Sequence, residues 1–563
     1  MESDDTSSDH IATLGFKIEK DGLNKIGYQL VKRKRDIYVD GTQQYVDFSK
    51  GIGKFQVVTD GFFLRNKTET LDSDWNRIHA EAFYNSKIFV PGYKLTIDEN
   101  ELRSLGTDSI TGTSMNYREH LFFINSNDTL KTKFGLSYSL REDKRPVAGE
   151  LKKGDESKTA RFFINSTFNL NQRLNFLLTY RNNTNFMTTG KPNDEETLII
   201  RSDWYAGFFK RHIRSDLTYT IGNGRELKRE FVFVQVPTGE GTHTWRDDTG
   251  DGTQDLSEFY IAINPDEKNY IKIFVPTNEY VFAYENNFNY RLIFEMPRNW
   301  KKSQGIKKII SRISSTSSWN IIKRITNPDL AARILPFYND IPDEDILSLK
   351  ESIRSRIFYN RSNPGFGFDF GYFRSSNKQL LSQGFEGRSR EEYTANVRLN
   401  LTKTYTIKLR YLRGNSASNS DFLQNRIYAL DRQKIMPEIA WQPSANLRLS
   451  VLYGYSTKIN TDGEPGEKAK INEILGNLRI SKASNLSLDA FIKYSDIEYN
   501  GDSNTPVAYE MLEALQPGQN YSWSMILQKK ILMGLQLSVS YEGRKSEGND
   551  AIHIGRMQVS ALF

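Results

Sequence analysis

The feature that most constrains this 563-residue chain is a period of two that recurs along its C-terminal third. Between Asn446 and Ile459, Leu447, Leu449, Val451, Tyr453 and Tyr455 alternate with Arg448, Ser450, Leu452, Gly454 and Ser456. Leu486, Leu488, Ala490, Ile492 and Tyr494 repeat the pattern, as do Tyr405, Ile407, Leu409 and Tyr411, and then Leu535, Leu537, Val539 and Tyr541. Successive side chains of a strand point to opposite faces, so each segment is a strand with one apolar and one polar face.

The connections alternate too. Short ones are expected near Thr402–Thr404, Pro443–Asn446, Ser481–Asn485 and Lys530–Gly534, and long polar ones over Gly414–Arg432, Thr457–Lys468 and Asp496–Asn520. A soluble sandwich has no reason to keep its long loops at one end, whereas a transmembrane β-barrel does. On the apolar face, strands leaving a short turn finish in tyrosine: Tyr411, Tyr455, Tyr494 and Tyr541. Returning strands begin with aromatics, Tyr393, Tyr521 and Trp523. One level of rings is the expected interfacial girdle.

Composition narrows the field. No run approaches the roughly 18 apolar residues of a membrane helix. With 34 Phe, 29 Tyr and 7 Trp the chain is too aromatic for global disorder. It has no cysteine, which removes disulfides, thiolate metal sites and cysteine nucleophiles. The net charge of +7 is small for this length and argues weakly for a nucleic-acid partner. Met1-Glu2-Ser3-Asp4-Asp5 is not a secretory signal; either the protein is not exported or an upstream part is missing from this sequence.

The last strand, Ile552–Phe563, puts Gly555, Met557, Val559, Ala561 and Phe563 on one face and stops on the aromatic. Here the chain resembles the bacterial outer-membrane β-barrel family. His553 departs from the pattern as a polar residue on that face. More narrowly, Tyr541-Glu542-Gly543-Arg544-Lys545, the Gln558–Phe563 ending and Val236-Pro237-Thr238-Gly239-Glu240-Gly241 resemble large, poorly characterised Bacteroidota-type outer-membrane proteins. The resemblance implies the outer membrane as compartment, with lipid and lipopolysaccharide around the barrel. It also implies recognition of Phe563 by the barrel-assembly machinery; protein partners in an outer-membrane complex belong to the scaffold alternative below. It implies no established activity.

The expected fold is therefore all-β, a large antiparallel transmembrane barrel. Ascending strands start near 405, 447, 486 and 535, a repeat of about 43 residues. With two insertions removed, that gives roughly 20 strands, range about 16–26, within the known span of such barrels. The expected organisation is a disordered 1–9, barrel strands over 10–222, an insertion at 223–283, a strand at 284–297, a long loop at 298–350 and barrel strands over 351–563.

One motif carries chemistry. Asp247, Thr249, Asp251, Thr253, Asp255 and Glu258 occupy positions 1, 3, 5, 7, 9 and 12 of an EF-hand-like loop, with Gly252 at the sharp turn. Calcium takes six to eight hard oxygens, which this set can offer. Thr249 replaces the usual Asp or Asn, and the flanks Phe231–Val236 and Tyr270–Val275 read as strands, so the expectation is a structural calcium clip. The competing reading is an acidic turn that binds nothing. A tight turn at Gly222-Asn223-Gly224 with a descending crossing at Arg225–Val236 places the loop at the short-turn, periplasmic end; a hairpin above the rim places it outside.

Lys32-Arg33-Lys34-Arg35 and Lys301, Lys302, Lys307, Lys308 and Arg312 read as headgroup or solvent contacts rather than a nucleic-acid site. Arg398, Lys408, Arg410, Arg448, Arg479 and Lys493, with Asp489, would face the interior, as an anion-leaning lumen or as a paired charge ladder. The six histidines lie in no catalytic motif, so no enzyme is expected. The expected function is transport or secretion across the outer membrane. The alternatives are a closed-pore surface scaffold or assembly partner, and a soluble all-β adhesin.

Overall fold

A computed structural model describes residues 8–35, 39–169, 171–187, 193–338, 340–381, 384–421, 426–462, 466–482, 485–532 and 534–561. Phe563 lies outside them, as do residues 1–7. The described residues form 27 strands, two of them only three residues long, and a few short helices. No helix among them is long and apolar enough to cross a membrane, which says nothing of a β-barrel. All strand pairings with a described register are antiparallel, and nearly all join strands consecutive in sequence.

The strand count exceeds the expected twenty for two reasons. Six strands already fit into Asp9–Ser104, about 32 residues per hairpin, because their turns are short. The 298–350 segment, read from sequence as a loop, also contains the strand Ile313–Ile325. Its run Ile313-Ser-Ser-Thr-Ser-Ser-Trp319 lacks apolar alternation, so only its neighbours Tyr270–Glu295 and Ile346–Tyr359 identify it. Asp9, expected to close a disordered tail, opens the first strand.

Two compact units are present, residues 1–206 with 217–223, and residues 207–216 with 224–563. In the first, an apolar face runs across neighbouring strands, with Phe122 opposite Tyr138 and Ile124 opposite Leu136. The other face carries ion pairs and aromatic contacts, including Trp75 Nε1 donating to Asp98 at 2.7 Å and Arg141 bonded to both oxygens of Asp143.

In the second unit the short turns fall where the alternation puts them, after Asn400, Ser444, Lys482 and Leu532. The strands run further toward the long loops than expected: Tyr405–Ser420, Leu447–Asn460 and Leu486–Tyr499 continue past Tyr411, Tyr455 and Tyr494, where the apolar alternation of the sequence ends. Once a ladder is established, polar residues stay in it, because leaving would strand backbone donors and acceptors. Burial is inverted relative to a soluble sheet. Val451, Ile439 and Ile492 are 58 %, 58 % and 61 % exposed, while Ser450, Ser456 and Lys458 are 8 %, 3 % and 6 % exposed.

What buries the polar face is the long-loop end folding over it. The helix Pro506–Met511 is capped by the Thr505 hydroxyl, which accepts from the Ala508 amide. Val507, Ala508, Met511, Leu512 and Leu515 pack on Tyr428, Leu430, Ala469, Ile471 and Ile497. The Lys458 ammonium, buried beneath, donates to Glu513 at 3.1 Å.

Candidate functional site

The segment 236–269 stands at the long-loop end of the second unit, not at the short-turn end that the sequence favours. Ile213–Gln235 is a single 23-residue strand and Tyr270–Glu295 a single 26-residue strand. Gly222 and Gly224 are not among the positive-φ glycines, so no hairpin turn breaks the first of them. Between the two strands, His243–Trp245 pairs with Phe259–Ile261, and the twelve-residue loop joins that small hairpin.

The loop is wound tightly. Asp247 Oδ1 accepts from the Gly250 amide at 2.6 Å and Oδ2 from the Gly252 amide at 2.9 Å. Gly250 and Gly252 have φ of 75° and 73°, which a side chain would resist. Asp251 Oδ1 accepts both from the amide and from the hydroxyl of Thr253, and these bonds hold its carboxyl below the usual range. Glu258 behaves differently. It is 1 % exposed and accepts from five donors: the Trp245 indole at 2.8 Å, the Thr249 hydroxyl at 3.0 Å and the amides of Asp248, Thr249 and Asp255. Burial works to raise its pKa, but these donors prevail and hold it low.

The fit to calcium is therefore partial. Asp247, Asp251 and Asp255 are exposed hard-oxygen donors on one loop, and Thr249 and Thr253 stand between them. Glu258, expected at the bidentate position, is committed inward as a brace. Among the described residues no three acidic or histidine side chains are grouped closely enough to hold a metal ion as they stand.

The sequence does not announce what the hairpin rests on. The Tyr260 ring lies 5.1 Å from that of Tyr509, on the capping helix. The Tyr509 hydroxyl donates to Glu267 at 3.0 Å. Arg544 bonds Asp266 at 2.6 Å, Glu267 at 2.8 Å and the Ala514 carbonyl at 3.2 Å. Arg426, almost fully buried, donates to the Phe259 carbonyl and sits 4.6 Å from the Tyr260 ring centre. Tyr260 donates to Asp248, whose own carboxyl burial pushes up. Four of these links, Tyr260–Tyr509, Tyr509–Glu267, Arg426–Phe259 and Arg544 with Asp266 and Glu267, tie residues more than 160 positions apart into one cap over the polar face.

The charges on the polar face are largely paired or hydrogen-bonded. Lys408 and Arg448 both bond Glu438, at 3.0 and 3.1 Å. Arg479 bonds Asp489, and Lys493 lies 3.8 Å from Glu473. Arg410 donates to the Asn396 side chain, and Arg398 to the Asn363 carbonyl. In the first unit the first two cations of the basic run are paired, Lys32 with Asp40 and Arg33 with Asp9. His553 has a partner on the apolar face, the Tyr541 hydroxyl at 2.9 Å.

No family model matches the chain, and no curated protein matches it. Among solved structures it is similar to the copper transporter OprC, at 6 % identity over 98 % of this chain and 79 % of that one, with a TM-score of 0.30. It is similar to the closed form of the ferric-catecholate import receptor Fiu from E. coli K12, at 8 % identity over 96 % and 77 %, TM-score 0.29. OmpT, an outer membrane protein of Vibrio cholerae, matches at 9 % identity over 67 % and 87 %, TM-score 0.23. Identities and scores this low carry nothing about what the chain does.

Proposed function

We propose that the protein is an integral β-barrel of the bacterial outer membrane that moves or secretes a cargo across it. One observation carries this reading: the inverted burial of the second unit, with apolar side chains exposed in rows and polar side chains buried. In water, that apolar face would forfeit about 25 cal/mol for each Å² left uncovered, and lipid removes the cost. Tyrosines at one level of the apolar face, such as Tyr494 beside Tyr521 with ring centres 5.2 Å apart, suit a headgroup boundary. Lipid and lipopolysaccharide are then its surroundings, Phe563 its signal to the assembly machinery, and the Bacteroidota-type barrels its proposed kin. No enzymatic role and no nucleic-acid partner belong to this reading.

A second reading is favoured by the helix Pro506–Met511 lying on the polar face: a closed-pore scaffold within an outer-membrane complex. Recombinant full-length protein should fractionate with outer membranes, require detergent and migrate faster on a gel when unheated. Conductance in a planar bilayer supports passage, and a silent bilayer supports the scaffold. A chain that stays monomeric at high concentration without detergent overturns both and leaves the soluble adhesin.

Calcium is part of the proposal. The loop wound on Asp247 and the exposed carboxylates of Asp251 and Asp255 support it, as the ligands that would hold the ion and fix the hairpin.

A further inference from the structure

A cavity of about 310 Å³ lies under the base of the cap hairpin, against the strands Phe366–Leu381 and Gly384–Asn400. That is at the lower end of the roughly 300–1,000 Å³ of small-molecule sites. One wall is apolar. Phe259, 3 % exposed, stacks on Phe233 with centres 4.1 Å apart, and Phe231 is buried beside them. The rest of the lining is charged: three cations, Lys272, Arg388 and Arg426, and one carboxylate, Glu386.

Glu386 is engaged. Its Oε2 lies 2.7 Å from the Lys272 ammonium, which also sits 4.0 Å from the Phe231 ring centre. Arg426 is fixed by the Phe259 carbonyl. The Arg388 side chain makes no hydrogen bond or ion pair with the described residues, although it lines the cavity. His243 lies beside Phe233 in the same lining. Burial, with Lys272, Arg388 and Arg426 nearby, lowers its pKa to about 4, so it stays neutral near pH 7 and adds no charge.

We propose that this cavity binds a small organic anion, its carboxylate or phosphate on Arg388 and Arg426 and its apolar part against Phe231 and Phe259. Guanidinium forks suit both anions, which they can bind through paired hydrogen bonds. The aromatic rings beside these cations distinguish the site from one for a bare inorganic ion. The inference rests on the cavity and not on the membrane reading, since the measurement can be made in detergent or in buffer alike.

The test is calorimetric titration of the purified full chain with phenyl phosphate, inorganic phosphate and benzyl alcohol as probes. Phenyl phosphate should bind, weaken as salt rises, and exceed each of the other two by at least tenfold. Arg388→Gln should weaken it at least tenfold, Arg388→Lys less, and Arg448→Gln, on the distant Glu438 pair, not at all. Should Arg388→Gln fail to fold, Gln379→Glu adds a carboxylate to the same cavity and should produce the same loss. Failure of phenyl phosphate to bind, or equal affinity in wild type and the cavity variants, overturns the proposal. Equal binding of inorganic and phenyl phosphate overturns the role of the apolar wall.

Discussion

The Trp245 indole donates to Glu258 Oε2 across 2.8 Å, closing the acidic loop from inside and joining its first flank to its last ligand position. A carboxylate this buried is tolerated because it meets five donors; without them, its desolvation would cost several kcal/mol. Glu258 thus braces the hairpin whether or not a cation is present. Glu258→Gln removes the charge and leaves one oxygen for five donors. We predict faster cleavage between Thr238 and Tyr270 and a shift in Trp245 emission, with or without calcium.

Calcium dependence itself is read from the exposed ligands. Asp251→Asn with Asp247→Asn removes two carboxylates without touching the brace. The wild-type loop should be protected from protease in proportion to how far free calcium exceeds its dissociation constant, and the double variant should lose that response. Identical wild-type cleavage in calcium and in chelator would falsify the calcium reading and leave the acidic turn.

The hairpin should also loosen in acid. His243 is held to a pKa of about 4, first by burial and then by the neighbouring cations, against about 6.5 when unfolded. The unfolded hairpin therefore binds more protons between these values. The stability that depends on neutral His243 is present above about pH 6.5 and is lost as pH falls toward 4. Trp245 fluorescence followed over that window should show the loosening, and His243→Gln should flatten it. An unchanged profile in the variant would assign the transition to other groups.

Arg544 anchors the hairpin to the capping loop through Asp266, Glu267 and the Ala514 carbonyl. Its removal leaves two partly buried carboxylates without their cation. Hydrogen bonds to charged groups contribute about 1.5–3 kcal/mol, so Arg544→Ala should raise amide exchange over residues 261–269 at least tenfold. Exchange within threefold of wild type would show that the tyrosine and Arg426 contacts suffice.

Much of this was legible in the sequence, and the remainder fails for identifiable reasons. The turns after Asn400, Ser444, Lys482 and Leu532 follow from alternation, because a one-residue slip would carry every apolar side chain to the other face. Gly222-Asn223-Gly224 misled, since such residues permit a turn without requiring one. The strand Ile313–Ile325 was hidden by its serines. The cap was not legible at all: the Tyr260–Tyr509 contact and the Arg544–Asp266 pair span about 250 and 278 positions, and no local pattern encodes a partner that distant. Lys408, Arg410 and Arg448 were placed correctly on the polar face, but the pairing of Lys408 and Arg448 with Glu438 and the hydrogen bond of Arg410 to Asn396 required the register.

That register supplies the last prediction. Glu438 holds Lys408 at 3.0 Å from the neighbouring strand on one side and Arg448 at 3.1 Å from the other. One carboxylate thus offsets half of the two cations' charge and leaves one net positive charge in this group. Reversing Lys408 would instead set a second carboxylate against Glu438, mixing instability with any change of selectivity. Glu438→Gln is the cleaner change, since it keeps shape and a hydrogen-bond acceptor while leaving both cations unneutralised. If the protein conducts, this variant should shift reversal potentials toward anions in a salt gradient, and the shift should shrink at high ionic strength as screening shortens the reach of the charges. A conducting variant with unchanged selectivity would mean that ions do not pass this face of the sheet.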